Sequence, residues 1–134
     1  MKHLLIASAF LSSAVLSSDG LSIPEKTLKY EADFVEFHCR GEIEHRLPDK
    51  TRIDCLNDEY AIEYDFAKKW AEAIGQSLYY SAMTGKKAGI VLIVNSKTKE
   101  RYLRRIEKTI EDKELDVTVW TVNQGDHNPP KKFM

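Results

Sequence analysis

Apolar and polar positions follow different periods along the chain, and the changes of period mark out the elements. The chain begins with a single Lys2 and an uncharged run from Leu4 to Leu16, after which small and polar residues continue to Ser22. Such a run is short for a bilayer span but suits the apolar region of a secretory signal. An ordinary N-terminal core helix is the other reading, but the Ser pairs supply no polar face at helical spacing. Residues 1–20 therefore read as an export signal, with small residues allowing cleavage after Ser17 or Gly20. After Pro24, the stretch EKTLKYEADFVEFHCRG predicts a helix. Leu28, Val35 and Cys39 share its face, Phe34 and Phe37 lie beside them, and Gly41 ends it. EIEHRL, TRIDCL and YAIEYDF, parted by PDK and NDE turns, predict three short strands in a meander. The segment Ala67 to Met83 is rich in good helix formers and is stopped by Gly85. Gly89 to Val94, GIVLIV, is continuously apolar, as a strand covered on both faces must be. A charged helix with a stripe of Tyr102, Leu103, Ile106 and Ile110 follows, then a last strand, DVTVWTV.

The order is helix, three strands, helix, strand, helix, strand. It predicts one α/β domain over residues 21–124, a mixed central sheet flanked by helices, with residues 125–134 as a polar tail. Composition narrows the classes. The 134 residues carry 20 Lys+Arg against 21 Asp+Glu, a net charge of −1, so general basicity cannot hold nucleic acid here. With 43% hydrophobic and 31% charged residues, the chain is neither disordered nor suited to stable membrane insertion once the signal is removed. Two cysteines are too few for a disulfide framework or a four-thiolate zinc site. After export, Cys39 and Cys55 would enter an oxidising compartment and could pair; two buried free thiols are the other reading.

Candidate chemistry gathers on the second and third strands. Strand alternation points Arg52, Asp54 and Leu56 one way, and Ile53 and Cys55 the other. In YAIEYDF, Ile62, Tyr64 and Phe66 form an apolar face, and Glu63 and Asp65 project from the opposite one. A tight hairpin at Asn57-Asp58-Glu59 then brings Asp54 beside Glu63. Three carboxylates on one patch repel unless a positive charge lies between them, and a hard cation such as Mg²⁺ or Mn²⁺ suits two carboxylates plus waters. Alternation alone equally describes the solvated side of a half-exposed sheet. The next helix adds information. At about 100° per residue with Gln76 at zero, Lys69 falls near about 20°, Tyr80 near about 40° and Glu72 near about −40°. These form a polar stripe, which Lys68 misses.

The block RLPDKTRIDCLNDEYAIEYDFAKKWAEAIGQSLYYSAMTGKKAGIVLIV resembles the PD-(D/E)XK nuclease superfamily, and within it the RecB-like branch. The resemblance implies a restriction-endonuclease-like αβββαβ core, here with a further helix and strand. It implies a nuclease acting on DNA or RNA with Mg²⁺ or Mn²⁺ held by Asp54 and Glu63. It also implies that Gln76 and Tyr80, spaced as the branch's Gln-x-x-x-Tyr pair, support the site. The usual lysine two residues after the third-strand acid is replaced by Asp65. Lys69 is then the candidate for a lysine supplied from the following helix, and Asp65 for a further metal ligand. A catalytically silent module of the same fold, binding nucleic acid or a protein, is the alternative. The family analogy leaves a homodimer open.

The resemblance fits the chemistry of phosphodiester hydrolysis. That reaction needs water activated near neutral pH and stabilisation of negative charge at phosphorus, which a metal ion and an ammonium group can supply. Glu36 and Glu44 are weaker candidates for an outer acid, and ordinary surface glutamates are the commoner case. Lys97, Lys99, Arg101, Arg104, Arg105 and Lys108 make a local basic patch, but Glu100, Glu107 and Glu111 interleave with it, as on a solvated helix. His38, His45 and His127 show no ligand spacing, and no motif for an organic cofactor appears.

Overall fold

The computed structural model describes residues 27–125; the expected export signal, and the tail from residue 126 onward, lie outside the described residues. The elements run α1 (Glu31–His38), β1 (Glu42–Arg46), β2 (Arg52–Leu56), β3 (Tyr60–Phe66), α2 (Trp70–Thr84), β4 (Lys87–Val94), α3 (Lys99–Asp112) and β5 (Val117–Asn123). A short 3₁₀ turn, Ala67–Lys69, joins β3 to α2. The five strands lie in the order β1-β2-β3-β4-β5. The first three are antiparallel, and β4 and β5 add in parallel. The domain is therefore α/β, with a five-stranded mixed sheet and three helices.

The apolar run in β4 explains its central place. Every residue from Ala88 to Val94 is buried, because helices cover both faces of the sheet there. One core cluster gathers Phe34 and Val35 of α1 with Ile62 and Tyr64 of β3, Val91 and Ile93 of β4, and Trp120 of β5. A second packs Ala73 and Ile74 of α2 and Ile106 of α3 against Ile90, Leu92 and Val94. Among the described residues, no helix is long and apolar enough to cross a membrane.

The boundaries of two helices differ from those predicted. The first helix starts at Glu31, not just after Pro24, because the Asp33 carboxylate accepts the N–H groups of Lys29 and Tyr30 at 3.0 and 2.8 Å and fixes the entry there. Leu28 lies ahead of the helix, yet is buried in the same cluster as Val35 and Cys39. Cys39 turns extended and ends α1, so Gly41 is not its stop. Gly41 is required for another reason: a Cβ there would stand 2.2 Å from the Leu56 carbonyl oxygen. The second correction is at the start of α2, where Lys69 falls in the 3₁₀ turn and not within the helix. At the other end Gly85, with φ of 72°, caps α2 in the left-handed conformation that glycine adopts without steric cost.

Cys39 and Cys55 are bonded, tying the end of α1 to β2 across a separation of 16 residues. Closing a loop of this length removes unfolded-chain entropy worth about 3 kcal/mol. The Cys39→Ala/Cys55→Ala double variant is expected to lose about that much stability in urea unfolding. A loss under about 1 kcal/mol would show that the bridge adds little to a fold already fixed by its core.

Candidate active site

Glu63 and Asp65 sit in the middle of the sheet, only 6% and 2% exposed, which excludes the reading of a solvated sheet face. Asp54, half-buried on β2, lies next to them. Strands β2 and β3 pair at Leu56–Ala61 and Cys55–Ile62, and Asp54 and Glu63 come next in register. There the backbone ladder stops. The Tyr64 N–H donates instead to Asp54 Oδ2 at 2.8 Å, so a carboxylate takes the role of a strand carbonyl. The strands part where the acids stand, which opens the edge of β3.

The Asp54 and Glu63 carboxyls lie close enough for each to act on the other, which favours a proton on the pair. Burial is the main reason that Glu63 is pushed far above the ordinary carboxylate range, and the charges of Asp54, Asp65 and Glu31 add to it. Burial likewise raises Asp54, while the Tyr64 N–H partly offsets this. Asp65 is raised by burial too, against the opposing pull of Lys69. Glu63 Oε2 is buried without a hydrogen-bond partner among the described residues. An oxygen in that position is costly unless a donor or a cation reaches it.

The Lys69 ammonium lies 3.1 Å from Asp65 Oδ1 and 3.1 Å from Glu31 Oε1. Hydrogen bonds to these two acids, Glu31 first, push its pKa up and keep it charged. The helical-wheel arithmetic does not extend to Lys69, since the 3₁₀ turn breaks the register. The side chain nevertheless reaches the acids, near enough for its charge to act on Glu63. Within α2 the arithmetic holds. Gln76 lies near enough to Tyr80 to act on its hydroxyl, and Tyr80 is buried against Leu47, Ile53 and Ala61. Burial raises the Tyr80 pKa, and the nearby Glu63 charge raises it further, which places the pair beside the acids.

One participant is missing from the sequence reading. Glu31 opens α1 and points its carboxylate at Lys69, whereas Glu36 lines a separate recess with Leu28, Asp33 and Phe37. The signal was there: Glu31 stands four residues before the buried Val35 and so shares the sheet-facing stripe of the helix. Glu44 shares a recess with Glu31 and Asp54, but its carboxylate is paired with Arg52 at 3.2 Å. Its backbone, at φ of 53°, is strained for a residue with a side chain.

Among the described residues, no three His, Cys, Asp or Glu side chains are grouped to hold a metal ion. With Asp65 engaged by Lys69, the oxygen donors available to a cation are Asp54 and Glu63. Two carboxylates and several waters are a donor set that Mg²⁺ accepts, and the unpartnered Glu63 oxygen fits such a role. Comparison of the chain with protein-family models, with curated proteins and with solved structures gave no match.

The electrostatics have a measurable sign. These carboxyls hold protons in the fold that the unfolded chain releases in the ordinary carboxylate range, so raising the pH from about 5 to about 8 destabilises the metal-free domain. Thermal unfolding is expected to show a falling melting temperature over that interval, and millimolar Mg²⁺ is expected to recover most of it. A melting temperature flat with pH would contradict the burial of ionisable acids.

Proposed function

We propose that the domain is a divalent-metal-dependent nuclease with a restriction-endonuclease-like core, of the RecB-like branch of PD-(D/E)XK enzymes. The observation that carries this reading is the pairing of Asp54 with Glu63 at the point where β2 and β3 part. The element order and the mixed sheet support it, as does the Lys69 ammonium arriving from the segment after β3. Asp54 and Glu63 would hold Mg²⁺ or Mn²⁺, which when bound supplies an activated water and a countercharge for the phosphoryl oxygens. Lys69 is placed to orient water or offset charge developing at phosphorus. Asp65 and Glu31 hold that ammonium in position, so Asp65 acts here as the lysine's partner and not as a metal ligand. Gln76 and Tyr80, near enough to Glu63 for its charge to act on Tyr80, would support the site.

The reading extends to an exported protein, whose oxidising compartment would accord with the Cys39–Cys55 bridge. One observation favours the silent-module alternative. Lys69 is bound by two acids at once, which neutralises the charge that catalysis would use. The test is incubation of the purified domain with single- and double-stranded DNA and RNA, in Mg²⁺, Mn²⁺ or EDTA. Cleavage that needs the metal supports the enzyme, and intact substrates under all conditions support the silent module.

A further inference from the structure

A second feature begins one residue along the chain from Asp65. At the carboxyl ends of the parallel strands β3, β4 and β5 is an open cavity of about 370 Å³. Open α/β sheets commonly take ligands at this end, and the volume lies at the small-ligand end of the usual range. Its walls include the rings of Phe66 and Tyr102, the Ile93 side chain, and the polar groups of Asn95, Thr98 and Gln124. Asn95 Oδ1 already accepts the Lys97 and Thr98 N–H groups and the Thr98 hydroxyl, which leaves its amide N–H₂ as the group free to donate. Lys68 lies on the rim. Lys68, Lys97, Lys99 and Arg105 have no ion-pair partner among the described residues, although the chain as a whole is nearly neutral. Arg101 and Arg105 already lie against the Tyr102 ring, at 4.8 and 5.8 Å from its centroid.

We infer that this cavity receives one unstacked base of a single-stranded nucleic acid, whose flanking phosphates meet Lys68 and the lysines at the start of α3. The occupant follows from the combination of contents. Aromatic rings offer stacking to any base, unpaired cations follow the backbone, and a duplex keeps its bases stacked and out of reach. The cavity adjoins the acids directly in the chain, since Phe66 follows Asp65 and Lys68 precedes Lys69. This inference rests on the nuclease reading and names its substrate as single-stranded, with a base held next to the cleavage site.

Binding without chemistry tests it. A fluorescein-labelled twelve-nucleotide oligo(dT), its RNA counterpart and a duplex of equal length are titrated with the full chain in EDTA, and anisotropy is read. Single strands are expected to bind about tenfold tighter than the duplex, with free dTMP as a weak competitor. Tyr102→Ala is expected to weaken single-strand binding about tenfold, and Tyr102→Phe to restore it. Because Tyr102 also packs on the core, Lys68→Ala serves as an exposed second variant, expected to lower the salt dependence of binding by about one charge. Equal affinity for strand and duplex would overturn the inference. So would unchanged affinity in both Tyr102→Ala and Lys68→Ala. Loss of metal-dependent cleavage with single-strand binding intact would strike the nuclease reading and leave the cavity assignment standing.

Discussion

Replacing Glu63 by Gln is expected to abolish metal-dependent cleavage and, in the same protein, to raise the stability of the metal-free fold at about pH 8. The two effects share one cause. Glu63 is the most strongly perturbed acid of the cluster, displaced by burial and by three neighbouring carboxylates. A group that stabilises a metal-bound transition state by about 4 kcal/mol contributes about a thousandfold in rate, and that is the expected fall. The stability change has the opposite sign. Above the ordinary carboxylate range, folding must either keep Glu63 protonated or bury its charge, and Gln does neither. A gain of about 1–3 kcal/mol at about pH 8 is expected, shrinking towards zero near about pH 4, where the unfolded carboxyl is protonated as well. Urea unfolding at the two pH values, alongside initial cleavage rates, reads both. A variant that is inactive and also less stable at about pH 8 would mean that Glu63 holds the fold together and is no site for a cation.

Lys69→Ala is expected to lower the turnover rate by about a hundredfold with little change in KM, because the ammonium acts near the reacting phosphate and not in distant binding. Asp65 would lose its partner and take up a proton, since it is only 2% exposed and cannot turn to water. Glu31→Gln is the informative companion. It removes one of the two acids that restrain Lys69 but keeps the lysine charged through Asp65. If Lys69 is catalytic and Glu31 positions it, the Glu31 variant should fall by about tenfold and shift its pH–rate profile, whereas Lys69→Ala falls much further. Identical rates in wild type and Lys69→Ala would assign the lysine to structure alone.

The fold was legible wherever period and burial agree. The unbroken apolar GIVLIV carried the signature of a doubly covered strand, and Gln76 and Tyr80 share a stripe because α2 is regular across them. Boundaries were lost where single side chains override the pattern. Asp33 fixed the start of α1, and three residues of 3₁₀ turn moved Lys69 off the expected wheel. The Asp54–Glu63 pairing was legible from the hairpin and from strand alternation, but the burial of Glu63 and Asp65 was not. An acid pointing off a strand has the same pattern whether it meets solvent or two neighbouring helices. The spacing of Glu31 from Val35 placed it on the sheet-facing stripe, but its partner was not legible: it meets Lys69 across 38 residues of sequence, a contact made only by the packing of α1 on the sheet.

The nuclease reading depends on Asp54 and Glu63 forming an oxygen-only cation site. The most direct measurement is calorimetric titration of Mn²⁺ into the full chain at about pH 8, repeated in two buffers of different ionisation heat and with the Glu63→Gln protein. One ion per chain is expected, bound with release of a proton from the neighbouring Asp54 and Glu63 carboxyls, and binding should disappear in the variant. Mn²⁺ heats that are absent in wild type, or equal in wild type and Glu63→Gln, would contradict the account.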